Sequence, residues 1–92
     1  KNMSVVIVKV KVMPDSPEAN LADIKKTAQH ALEKEGAKSV QIEEQNIAFG
    51  LKAVILSFAF PESKGTDIIE SLLSNITHVS SVTIEDYRRA FG

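Results

Sequence analysis

The chain has no cysteine, so neither a disulfide nor a thiolate zinc site is available to it. That absence suits a reducing cytoplasm, the compartment expected for it. Its glycines, Gly36, Gly50, Gly65 and Gly92, stand alone, and no glycine-rich loop leads into a helix to cradle a phosphate. No apolar run approaches the ~20 residues of a membrane-spanning helix. Lys9 and Lys11 also interrupt the run from Val5 to Met13, which excludes a signal-peptide pattern there. Neither sign of charge dominates: 11 basic residues meet 12 acidic ones for a net charge of −1. There is accordingly no global pull toward nucleic acid or an anionic membrane, and neither is expected as a direct partner. His30 and His78 lie far apart without a second ligand at metal-binding spacing, so solvated or locally bonded histidines are expected and no metal. No G-x-S-x-G elbow is present, and no cofactor is implied.

What is present reads as one soluble domain. The 92 residues are 43% hydrophobic and 25% charged, enough for one core. The domain is placed at residues 3–90, with Met3 as a natural start and Lys1 and Asn2 as leftover residues. Val5 to Met13 is rich in β-branched residues, with Val6, Val8, Val10 and Val12 on one parity: a strand. Pro14-Asp15-Ser16-Pro17 ends it. Asn20 is an N-cap with Asp23 three residues on, and Leu21, Ile24, Ala28, Ala31 and Leu32 recur at helical spacing up to Gly36. Ala37 to Phe49 forms a second strand with Val40 and Ile42 inward, and Gly50 turns it into a third that ends at Pro61. Glu62 to Gly65 is a polar loop, and Thr66 caps a second helix bearing Ile68, Ile69, Leu72, Leu73 and Ile76. Val79 to Tyr87 is the fourth strand, and Arg88 to Gly92 the tail.

The order β-α-β-β-α-β with right-handed crossovers predicts an α+β ferredoxin-like sandwich: a four-stranded antiparallel sheet with two helices on one face. Strict alternation assigns Val5, Ile7, Lys9, Lys11, Ala53, Ile55, Thr83, Glu85, Tyr87 and Arg89 to the open face, a mixture of apolar and basic groups like a binding surface. Arg88 then points the other way.

Two features ask for explanation. Ile47, Ala48 and Phe49 put apolar groups at a hairpin tip, where turns are normally polar. Phe49 either folds back over the edge of the core or meets a partner, and the residues themselves serve both readings. The third strand is apolar on both parities: Val54, Leu56, Phe58 and Phe60 on one, Leu51, Ala53, Ile55, Ser57 and Ala59 on the other. A half-exposed strand alternates apolar with polar, so something covers the second face too. Other chemistry is poorly served. Glu43 and Glu44, adjacent on a strand, point to opposite faces and cannot act on one atom. Single-stranded RNA recognition on this topology stacks bases on strand aromatics, but the first strand has none and Phe58 and Phe60 fall on the core parity.

Three segments carry a resemblance. They are Val-x-x-x-Pro-x-Ser-Pro from Val10 to Pro17, Ile-Glu-Glu-x-x-Ile-Ala-Phe-Gly-Leu-Lys-Ala from Ile42 to Ala53, and Ser-Val-Thr-Ile-Glu-Asp-Tyr-Arg-Arg from Ser81 to Arg89. In this order they resemble the archaeal elongation factor 1-beta family, over Met3 to about Ala90. The resemblance implies the same ferredoxin-like sandwich. It also implies a guanine nucleotide exchange factor that acts on the GTPase elongation factor 1-alpha, promoting GDP release and GTP rebinding without covalent chemistry of its own. In that family the hairpin Phe packs on a second domain of the GTPase, which maps to Phe49, with Gly50 and Lys52 in the same motif. In eukaryotic relatives a Lys near the C-terminus reaches toward the Mg²⁺ site; the matching position is Arg89, with Arg88 the alternative. Asn46 stands where archaeal relatives often carry Pro. Ile7, Ile55 and Tyr87 are interface candidates from open-face geometry. Two rivals remain on this fold: a small-molecule-sensing regulatory domain forming a homodimer, and an acyl-phosphate hydrolase, for which Pro14-Asp15-Ser16-Pro17 is not a suitable anion loop.

Overall fold

Apolar residues on alternate positions of four strands, and on one stripe of each of two helices, can be buried together only if both helices lie on one side of the sheet. The computed structural model, which describes residues 4–90, has this arrangement. The elements are β1 (Val5–Pro14), α1 (Leu21–Lys34), β2 (Lys38–Asn46), β3 (Lys52–Pro61), α2 (Thr66–Ser74) and β4 (Val79–Ala90). The sheet is antiparallel in the order β2-β3-β1-β4, so β2 and β4 are its edges. This is the ferredoxin-like α+β sandwich. The expected start at Met3, the leftover Lys1 and Asn2, and the tail residues Phe91 and Gly92 lie outside the described residues.

The core is the predicted one. Val6, Val8, Val10 and Val12 of β1 and Val54, Leu56, Phe58 and Phe60 of β3 pack with Ile24, Ala28 and Leu32 of α1 and Ile69 and Leu73 of α2. The rings of Phe58 and Phe60 meet edge to face at 5.8 Å. With both aromatics buried in this layer, neither is available to stack a base.

Several boundaries differ from the sequence reading. β1 runs one residue further, because Pro14, at a strand end, still pairs with Val79. β2 is shorter than Ala37–Phe49: it ends at Asn46, and Ala48–Gly50 form a tight turn. β4 is longer, reaching Ala90 alongside Val5. Asn20 caps α1 as expected, its side chain accepting from the Asp23 N–H at 3.2 Å. Thr66 does not cap α2. The cap position falls on Gly65 at φ 80°, ψ 165°, a conformation open essentially to glycine, and Thr66 is already helical.

The largest correction concerns β4. Its register against β1 slips by one between Lys9 and Val10: Val10 pairs with Ile84, but Lys9 pairs with Asp86. Glu85 is the extra residue of a β-bulge. Directly opposed residues point to the same face. Beyond the bulge, therefore, Asp86 and Arg88 join Lys9 and Ile7 on the open face. Tyr87 and Arg89, opposite Val8 and Val6, turn to the helix face. The alternation that put Tyr87 and Arg89 on the open face fails at this one residue.

Candidate partner interface

The hairpin tip is built on strain. Phe49 sits at φ 62°, ψ 31°, and Gly50 follows at φ 78°. Two successive left-handed residues closed by Leu51 N–H donating to Ala48 O at 3.2 Å make a type I′-like turn, whose twist suits the flanking strands. Gly50 takes this conformation freely; Phe49 takes it at a cost of about 1–2 kcal/mol. Its side chain recovers none of this by burial, being 92% exposed. Of the two readings left open for Phe49, folding back over the core is thereby excluded.

Behind the tip, Lys52 and Glu44 belong to the helix face. Glu44 Oε2 lies 2.5 Å from Lys25 Nζ of α1, and its Oε1 lies 3.9 Å from Lys52 Nζ. The hydrogen bond and charge of Lys25 hold the Glu44 carboxyl below its ordinary pKa, with Lys52 adding to the effect against partial desolvation. This bridge ties the hairpin base to α1. Beside it a shallow groove of about 280 Å³ runs between the Pro14–Pro17 loop and Gly50. Glu43, on the other face, stands opposite Ile55, so the two carboxylates are separated as expected.

The open face is less available than the sequence suggested. Ile55 is on it, between Lys11 and Glu43 in the neighbouring strands, but is only 6% exposed, and Ala53 is fully covered. Of the second apolar parity of β3, Ala53 and Ile55 are thus buried, while Leu51, Ser57 and Ala59 are half-buried. Ile7, opposite Arg88, does present a surface, at 43% exposure. Tyr87 is similarly exposed, on the opposite face at the edge strand.

The two arginines are held differently. Arg88 donates from Nε at 3.0 Å to one oxygen of Asp86, two residues away on the open face, and its Nη2 lies 2.8 Å from the same oxygen. That hydrogen bond raises the Arg88 pKa and lowers that of Asp86. Arg89 donates through Nη2 to Glu62, just beyond β3. Residue 62 gave no sequence signal as a site residue. The bulge did leave a trace: Val82 and Ile84 share a parity with Asp86 and Arg88, and two charges cannot continue a core stripe. Elsewhere, His78 pairs with Asp15 at 3.3 Å, a local contact. Among the described residues no cluster of three or more metal-ligating side chains forms, and no helix is long and apolar enough to cross a membrane.

An exposed aromatic on a strained tip thus stands at one end of the sheet and a guanidinium at the other. Residues 7–90 match the model of the EF-1 guanine nucleotide exchange domain. The chain belongs to that family. Similar proteins are the elongation factor 1-beta of Natronomonas pharaonis, 36% identical over 95% of this chain and 99% of its own length, and that of Haloarcula marismortui, 38% identical over the same shares. Elongation factor 1-beta of Methanobrevibacter smithii is 39% identical over 95% of this chain and 98% of its own length. The resemblance read from the three segments is thereby established at the level of the family, and with it a nucleotide-exchange role in translation elongation. Among solved structures, the fold is similar to LarC2, the C-terminal domain of a cyclometallase involved in synthesis of the NPN cofactor of lactate racemase, in its apo form. The TM-score is 0.66 at 13% identity, covering 98% of this chain and 58% of that one. At that identity the likeness concerns the exchange domain's fold alone.

Proposed function

We propose that residues 3–90 form a single domain that catalyses guanine nucleotide exchange on elongation factor 1-alpha in the cytoplasm. GDP leaves, GTP rebinds, and the domain makes and breaks no covalent bond. The observation that carries this reading, beside the family, is the exposed Phe49 on a left-handed turn: a side chain strained and uncovered in the free protein gains by burial in a partner.

Exchange requires that the domain bind the nucleotide-free GTPase better than the GDP-bound form, since only differential affinity shifts an equilibrium. Phe49, with Gly50 and Lys52, is assigned the anchoring contact, which is made in both states. Arg89 is assigned the discriminating one: a cation brought to the Mg²⁺ and phosphate region competes with the contacts that retain GDP. The two sites lie at opposite ends of the sheet. Lys52 to Phe60 spans about 26 Å at ordinary strand rise, and Arg89 stands level with Phe60 through their shared neighbour Val6. The partner must therefore be touched at two separated regions. Ile7 and Tyr87 contribute apolar area near the arginine end, while Ile55 offers little. The sensor alternative drew on the apolar second parity of β3, of which Ala53 and Ile55 are buried within the chain and offer little area to a second copy.

The test is release of a fluorescent GDP from elongation factor 1-alpha in excess unlabelled nucleotide. Substoichiometric amounts of the chain should accelerate release. An active cognate GTPase that releases GDP at its intrinsic rate would overturn the reading.

A further inference from the structure

Arg89 lies one residue from the end of an edge strand, and its side chain is 71% exposed. A long side chain in that position normally samples many rotamers. Two features restrict it. The Glu85 bulge turns Arg89 from the open face to the helix face, so that it stands opposite Val6. There it meets Glu62, whose own position is fixed. Pro61 precedes it at φ −64°, the Glu62 N–H donates to Ser4 O at 3.0 Å, and its carbonyl accepts from the Gly65 N–H at 3.3 Å. The Glu62 side chain is 27% exposed, against 71% for Arg89, so the carboxylate is the more fixed member of the pair.

The contact uses Arg89 Nη2 alone. Arg88 differs: its Nε donates to Asp86, and its Nη2 is held in ion-pair distance of the same oxygen. A guanidinium carries five donors in a planar fork, so a hold through one nitrogen fixes its direction and leaves the rest of the fork for an anion.

We infer that Glu62 is a positioning residue for Arg89: together with the Glu85 bulge it holds the guanidinium on the helix face at the end of the sheet, ready for a phosphate or carboxylate of the partner. This rests on the exchange reading for its purpose, though not for its geometry. Preorganisation removes from the binding event the cost of ordering one rotamer-rich side chain.

Two measurements test it. In the free protein, the Arg89 Nε–Hε resonance should be resolved and slow to exchange with solvent, and Glu62→Gln should move it toward that of an unrestrained arginine. With the GTPase, Glu62→Gln should lower the maximal stimulated rate of GDP release about two- to tenfold, the worth of one immobilised side chain. The half-saturating concentration should change less than about twofold, because the Phe49 anchor is untouched. Glu62→Asp should restore part of the rate, and Glu62→Gln combined with Arg89→Ala should be no slower than Arg89→Ala alone. A rate equal to or above the parent's would make the pair a bystander or a brake, and multiplying effects would mean Glu62 acts elsewhere; either overturns the inference. Should the parent chain itself fail to stimulate release, the exchange reading falls, and the Arg89 resonance alone decides whether Glu62 holds it.

Discussion

At the hairpin end of the sheet an aromatic ring stands almost fully exposed on a left-handed turn; at the other end a guanidinium is tied through one nitrogen to a fixed carboxylate. The first is apolar and strained, and the chain gives it nothing to pack on. The second is charged and already paired. Burying an aromatic supplies non-directional affinity roughly in proportion to area. A guanidinium supplies direction and charge, with little net energy while exposed. The difference teaches how one small domain can separate holding a partner from acting on it, with a rigid valine- and phenylalanine-filled sheet keeping the two at a fixed distance.

Breaking that sheet should have the largest effect. Phe60→Ala, in the buried layer one strand away from Arg89 across Val6, should cost about 3–5 kcal/mol in equilibrium denaturation. Both ends should fail together under mild denaturant, since they share one core. Next comes Phe49→Ala, which should weaken binding to the nucleotide-free GTPase by roughly 2 kcal/mol, as for a central aromatic anchor, measured by titration calorimetry. Phe49→Gly should lose the same affinity while leaving the free domain as stable as the parent or more so, because the left-handed strain is relieved. A destabilised glycine variant would show that Phe49 serves the fold.

At the charged end, Arg89→Ala should lower the stimulated exchange rate with melting shifted by less than about 1 kcal/mol equivalent, as for an exposed ion pair. Arg88→Ala should do less, since Arg88 is committed to Asp86. Deleting Glu85 should straighten the ladder, with Ile84 still opposite Val10 and Asp86 opposite Lys9, and keep both arginines on their faces and the dependence on Arg89; a switch to Arg88 would show that the register beyond the bulge does not set the aim. The smallest effect concerns Glu44. Its carboxyl pKa is lower folded than unfolded, so its contribution is present above its ordinary value of 4.5 and is lost as pH falls through the folded value. Glu44→Gln should lower stability slightly at neutral pH, where the contribution is present, and flatten the acid limb, so that parent and variant converge at low pH.

The fold was legible because its signals were periodic. Four valines on one parity of β1 and a helical stripe from Ile24 to Leu32 have few alternatives once a single core must bury them. The Asn20 cap was readable for the same local reason. Thr66 misled because a glycine one residue earlier could take a conformation threonine cannot. The tip was legible as an anomaly, Phe beside Gly, and its left-handed backbone gives the anomaly a physical form. The face of Arg89 was not legible by counting alternate residues, since a one-residue bulge inverts everything after it. Asp86 and Arg88 falling on the core parity was the available warning. Glu62 left no trace, because its contact with Arg89 joins residues 27 apart that only the sheet brings together.

The division of labour between the two ends is tested most directly by titrating fluorescent-GDP release from elongation factor 1-alpha with the parent chain, Phe49→Ala and Arg89→Ala. The account predicts that Phe49→Ala raises the half-saturating concentration and keeps the plateau, while Arg89→Ala lowers the plateau and keeps the half-saturating concentration. Both variants changing the same parameter, or neither differing from the parent, would contradict it.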